Sequence, residues 1–133
     1  MLGQSPRPGF HTVTPYLVVD DLDRMIAFVK DAFGATEHYR TQGGGGGTHV
    51  EVRIGDSMVM IGGPYTPRHS MIFLYVEDVD AVYAAALKAD AISTMPPADD
   101  LFGEPRGAGV QDPCGNDWYF ANWTKRPDAP PAA

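Results

Sequence analysis

The 133-residue chain has a single cysteine, Cys114, no apolar run longer than a few residues, and few basic side chains. A lone thiol can form no internal disulfide and has no second thiolate with which to build a zinc knuckle, so a reducing, cytoplasmic setting is expected and Cys114 reads as an incidental turn residue. The opening MLGQSPRPGF has neither a basic start followed by an apolar stretch nor a small-residue cleavage site, so nothing here marks the chain for membrane insertion or export. Ten Lys and Arg against seventeen Asp and Glu leave a net charge of −7. That balance repels phosphate backbones and anionic lipid and mildly attracts cationic small molecules, so nucleic acid is a poor candidate partner. The glycine run 43–47 lacks the lysine and the strand-to-helix context of a phosphate cradle and reads as a flexible connector.

What is present is enough for one buried core: 44% of the residues are hydrophobic, in a chain too short for two independent domains. Residues 1–10 and 124–133 are rich in proline and small residues and read as an extended, mobile arm and tail, leaving a folded domain over residues 11–123. Within it, the run from Thr14 to Val19 reads as a strand. Asp20-Asp21 then caps a helix whose stripe is Leu22, Met25, Ile26, Val29 and Phe33, with Gly34 as its left-handed stop. The same order recurs as Met71–Val76, the cap Glu77-Asp78, and a stripe of Val79, Val82, Tyr83, Ala86 and Leu87. Strand-like runs follow each helix: 36–41, 49–54 and 58–61 in the first half, 91–95, 106–111 and 117–122 in the second. Gly55-Asp56-Ser57 and Asp112-Pro113-Cys114-Gly115-Asn116 are turns, and Pro96–Asp100 reads as a loop beside the last strands.

Two βαβββ modules in series, about 11–64 and 69–123, with Val-Asp-Asp-Leu and Val-Glu-Asp-Val opening the helices and a closing Asp-Pro-x-Gly-Asn turn, resemble the vicinal-oxygen-chelate (glyoxalase/bleomycin resistance) superfamily. The segments from His49 to Met58, from Met95 to Asp99 and from Gly109 to Phe120 look most like its PhnB-like branch. The resemblance implies an α+β fold in which mixed sheets curl into a cup with the helices outside, a small-molecule site on the inner face, and a homodimer. Strand alternation then assigns the faces. Thr14, Tyr16, His49, Glu51 and Arg53 would point into the cup, as would Met58, Met60, Met71, Phe73, Tyr75 and Tyr119, while Trp118 and Phe120 pack beneath a helix.

Metal-dependent members of the superfamily place a His or Glu at four inward positions, on the first and fourth strands of each module. Here those positions fall at Thr14, about Met60, Met71 and about Tyr119. A hydroxyl, two thioethers and a phenol are poor ligands for the divalent ions concerned, so no metal and no other cofactor is expected. A shifted alignment that brought in His69, or His49 with Glu51, would be the route to a metal site. His11 and His38 read as structural or solvent-facing.

Without an ion, the expected role is a glyoxalase/bleomycin resistance-like small-molecule-binding protein that holds an apolar or aromatic ligand among phenols and thioethers, oriented by His49, Glu51 and Arg53. The alternative is an enzyme of lyase, isomerase or transferase type, in which His49 or Glu51 moves a proton or an unrecognised divalent metal acts. A third reading is an interaction module with a vestigial cup.

Overall fold

The computed structural model describes residues 5–123. Strand β1 (Tyr16–Val18) leads into helix α1 (Leu22–Phe33), followed by β2 (Thr36–Gln42), β3 (Thr48–Ile54) and β4 (Ser57–Gly63). The second module repeats this order as β5 (Met71–Tyr75), α2 (Val79–Lys88), β6 (Ile92–Leu101), β7 (Glu104–Gln111) and β8 (Asp117–Asn122). Both helices start where a carboxylate satisfies a free backbone donor: Asp21 accepts from the Arg24 N–H at 3.1 Å and Asp78 from the Ala81 N–H at 3.0 Å. Helix α1 stops at Gly34, whose φ of 68° is the left-handed conformation that glycine adopts without steric cost.

The strands form two four-stranded mixed sheets of identical topology, β1-β4-β3-β2 and β5-β8-β7-β6, with β1 parallel to β4 and β5 parallel to β8. This is the expected α+β fold. In each sheet one face is apolar. Leu17, Val50, Val52, Val59 and Ile61 are buried in the first, and Val110, Trp118 and Phe120 in the second, all within one contiguous core. The helices fill the space behind both sheets and pack on each other. Phe33 of α1 crosses the seam, its ring 4.7 Å from that of Trp118 and 6.4 Å from that of Phe120.

Because the two sheets share the core behind them, their other faces turn away from each other. We call these the open faces. The helices do lie behind each sheet, and among the described residues no strand pairing joins one open face to the other.

Several boundaries differ from the sequence reading. β1 is limited to Tyr16–Val18, so Thr14 precedes the strand and its hydroxyl donates to the His11 carbonyl at 3.2 Å. Pro96–Asp100 is not a loop: it lies inside β6. The prolines are tolerated because β6 is the edge of its sheet, where a missing N–H breaks no ladder, and the β6–β7 register shifts between Met95 and Ala98. Leu87 is exposed rather than on the buried stripe of α2. The expected mobile tail at 124–133 lies outside the described residues. Among those described, no helix is long and apolar enough to cross a membrane.

Candidate functional site

On the open face of the first sheet, register places the polar triplet beside two thioethers. Glu51 sits opposite Met60, Arg53 opposite Met58, and Tyr16 beside Met60 on the other side of β4. His49 Nε2 is 2.9 Å from Glu51 Oε2, and His49 Nδ1 is 3.3 Å from the Tyr16 hydroxyl. A carboxylate only accepts, so Nε2 carries the proton, and the Nδ1 of a neutral ring then accepts from Tyr16. The result is a directed chain, Tyr16 to His49 to Glu51. Burial, with Tyr65 nearby, pushes the Tyr16 phenol above its ordinary value and keeps it protonated as the donor.

Glu51 is only 2% exposed, although its strand face carries no helix. The cover comes from the segment before β1. Arg7 Nη2 lies 2.5 Å from Glu51 Oε2, and the Arg7 guanidinium stands 4.9 Å from the Phe10 ring centre and 5.7 Å from that of Tyr39. Burying a carboxylate is expensive unless it is paired, and Arg7 and His49 supply that pairing. A small hollow of about 220 Å³ is lined by Arg7, Phe10, Tyr39, Glu51, Arg53 and Met58.

The open face of the second sheet is aromatic. Phe73 contacts the rings of Tyr75 at 5.3 Å and Phe102 at 5.7 Å, and Phe102 contacts Tyr119 at 5.4 Å, all edge to face. Met71 and Tyr75 are 70% and 66% exposed, so with Phe73 they leave a contiguous apolar patch in solvent. The Tyr75 hydroxyl donates to Glu104 at 3.0 Å, and this carboxylate raises the phenol's pKa. Phe102 sits at the tip of the β6–β7 hairpin with φ of 61°, next to Gly103 at 74°. Holding a bulky residue in that region costs roughly 1–2 kcal/mol, so the ring is held over the open face at the expense of backbone comfort.

Of the residues read from the sequence, the structure therefore gathers Tyr16, His49, Glu51, Arg53, Met58 and Met60 on one open face and Met71, Phe73, Tyr75 and Tyr119 on another. It does not bring the two sets together in one chain, and it places Thr14 in the turn before β1. Four participants were missed. Arg7 reaches Glu51 only through folding of a segment 44 positions away, whereas Tyr39 stands directly opposite Glu51 in the β2–β3 pair. Phe102 and Glu104 flank Gly103, and that Phe-Gly pair carried a hairpin signal.

Thr14, about Met60, Met71 and about Tyr119, the positions where the resemblance led us to expect any metal ligands, offer a hydroxyl, two thioethers and a phenol, which are poor donors for a divalent ion. His49 and Glu51 are adjacent but bring in no third ligand. His69 lies instead against the Asp112–Asn116 turn, packed on Gly115, and His38 bonds Thr36 at 3.0 Å on the exposed strand β2. Among the described residues no group of three or more His, Cys, Asp and Glu could hold a metal ion.

A separate hollow of about 490 Å³ lies at the seam of the modules, between the Gly55–Ser57 turn and the edge of β5. Its walls are mainly core-side residues such as Phe33, Ile72, Leu74 and Val82, with no converging polar set.

Comparison with known proteins agrees with this architecture. Residues 9–120 match the profile of the Glyoxalase/Bleomycin resistance protein/Dioxygenase superfamily. The uncharacterized protein Mb0911c of Mycobacterium bovis is 36% identical over 121 residues, covering 80% of this chain and 79% of the relative. Among solved structures, TioX from Micromonospora sp. ML1 superposes with a TM-score of 0.69 at 25% identity, over 84% of this chain and 98% of the other. The fosfomycin resistance protein FosX from Mesorhizobium loti gives a TM-score of 0.64 at 18% identity, over 84% and 90% of the two chains, a likeness of fold.

Proposed function

Because the chain belongs to the Glyoxalase/Bleomycin resistance protein/Dioxygenase superfamily, we propose that it is a metal-free small-molecule-binding protein whose aromatic ligand lies between the open faces of two copies. The observation that carries this reading is the exposed cluster of Phe73, Tyr75, Phe102 and Tyr119. One chain turns its two open faces apart, so a hollow with the polar set on one wall and the rings on the other needs a second copy. A two-fold axis would pair each first sheet with the partner's second sheet and make two equal cups. The rings and the thioethers of Met58 and Met60 offer dispersion contact to a flat organic molecule, and the Tyr16–His49–Glu51 chain offers hydrogen bonds that orient it. The segments 49–58, 95–99 and 109–120 support assignment to the PhnB-like branch. The single buried thiol supports a cytoplasmic setting.

The test is a calorimetric titration of a panel of aromatic compounds into the wild type and into Phe73→Ala and Tyr119→Ala. Each lost ring pair is worth roughly 0.5–1.5 kcal/mol beyond burial, so affinity should fall about two- to thirteenfold for each variant. Unchanged affinity in both would remove the ring cluster from the site.

A second reading is favoured by one observation, the 2.9 Å contact that fixes the His49 ring against Glu51 and leaves Nδ1 as the proton acceptor. In an enzyme of lyase, isomerase or transferase type, that atom would take a proton from beside a substrate carbonyl once the Tyr16 hydroxyl turned away from it. Full turnover by His49→Ala would exclude it.

A further inference from the structure

We infer that Arg7 is a built-in occupant of a guanidinium site on Glu51, and that the ligand class of this face is an organic cation, specifically an aromatic molecule bearing a guanidinium, which displaces Arg7. The inference rests on the reading of the open faces as ligand surface and goes further by naming the group recognised.

The occupant is held by a built turn. Arg7-Pro8-Gly9-Phe10 closes with the Phe10 N–H donating to the Arg7 carbonyl at 3.0 Å, with Gly9 at φ of 88°. Proline at the second position and a positive-φ glycine at the third are the requirements of a type II turn. The positive φ is what calls for glycine here, since a Cβ at this position would meet Arg53 Nη2 only at 3.5 Å, an ordinary contact. The turn points the Arg7 side chain into the sheet and sets the Phe10 ring beside it.

The receiving site keeps partners of its own when Arg7 leaves. Its carboxylate, whose side chain is only 3% exposed with the Arg7 segment in place, is held at the same oxygen by His49, with the Tyr39 ring close by. An ionised carboxylate that is nearly buried demands a cation, and flanking rings favour a delocalised one. Arg7 itself is half exposed, with 51% of its side chain open to solvent, and it is tethered through a short turn rather than through a core element. It is therefore the replaceable member of the pair. A tethered side chain competes at an effective concentration of order millimolar, so a free cation binds the wild type more weakly than the empty site. The net charge of −7 favours the approach of such a cation.

Phenylguanidinium is the probe and phenylurea its neutral counterpart, each titrated by calorimetry into the wild type, Arg7→Gln and Glu51→Gln. The expected result is at least fivefold tighter phenylguanidinium binding by Arg7→Gln than by the wild type, no gain for phenylurea, and loss of phenylguanidinium binding in Glu51→Gln. Arg7→Gln should also melt below the wild type and recover when phenylguanidinium is added, a readout that stands even if Glu51→Gln fails to fold. Equal phenylguanidinium affinity in Arg7→Gln and wild type would overturn the inference, and so would an equal gain for phenylurea, which would mean that the arm merely covers the face. If Phe73→Ala weakens phenylurea binding while Arg7→Gln changes nothing, the cation site falls and the aromatic ligand surface stands. If Phe73→Ala leaves every affinity intact, the broader reading fails first.

Discussion

At the scale of single residues, the turn before β8 is held by one buried carboxylate. Asp112 is 4% exposed and accepts from the Cys114 N–H at 2.8 Å, the Asn116 N–H at 3.0 Å and the Trp118 Nε1–H at 2.7 Å. Its removal strands buried donors, each costing roughly 1–3 kcal/mol. Asp112→Ala should therefore lose about 3 kcal/mol or more in urea denaturation, well beyond an ordinary surface change. Burial and the neighbouring Asp112 carboxylate push the Cys114 thiol up to about 11 from an ordinary value of 9.0. The folded state thus keeps a proton that the unfolded state releases. Its contribution to stability is complete below pH 9 and is lost as pH rises toward about 11. A thiol reagent at pH 8 should label Cys114 only as fast as the chain unfolds, and prompt labelling of the native protein would contradict this burial. The inward and outward parity of Tyr16, Leu17, Glu51, Val52, Phe73 and Trp118 was legible because strand alternation is a local rule. The partners of those residues were not, since Arg7 meets Glu51 across 44 positions and Trp118 meets a carboxylate read only as part of a turn.

At the scale of elements, both helices and seven of the eight strands were read nearly to their boundaries, because caps, left-handed glycine and apolar period act within a turn or two of the chain. β6 was cut short at its prolines. Pro96 and Pro97 signal a loop on any local reading, and only the position of β6 at the sheet edge makes them acceptable in a strand. The extra length carries the hairpin tip over the open face, where Phe102 stays at φ of 61° against its own preference. Phe102→Gly should relax that backbone and leave stability within about 1 kcal/mol, since relief of left-handed strain offsets the lost ring contacts. The same variant should weaken aromatic ligand binding several-fold by calorimetry. A large loss of stability with full ligand affinity would show that the ring holds the hairpin rather than the ligand.

At the scale of the molecule, the repeat of two βαβββ modules was plain in the sequence, but the way they pack was not. Alternation says which residues leave the core; it does not say whether the two sheets present those residues to each other or to opposite sides. Phe33 of α1 packs against Trp118 and Phe120 of the second sheet, so the modules share one core and the open faces lie on the sides away from it. The polar set and the ring set are both assembled, but on opposite sides of the chain, and the proposed function depends on a second copy to join them. Sedimentation equilibrium at micromolar concentration tests this most directly. The account predicts a particle of twice the chain's 14.4 kDa, reduced to a single chain when Tyr75→Asp places a charge on the ring face. A wild type that sediments as one chain of 14.4 kDa across that range would contradict it.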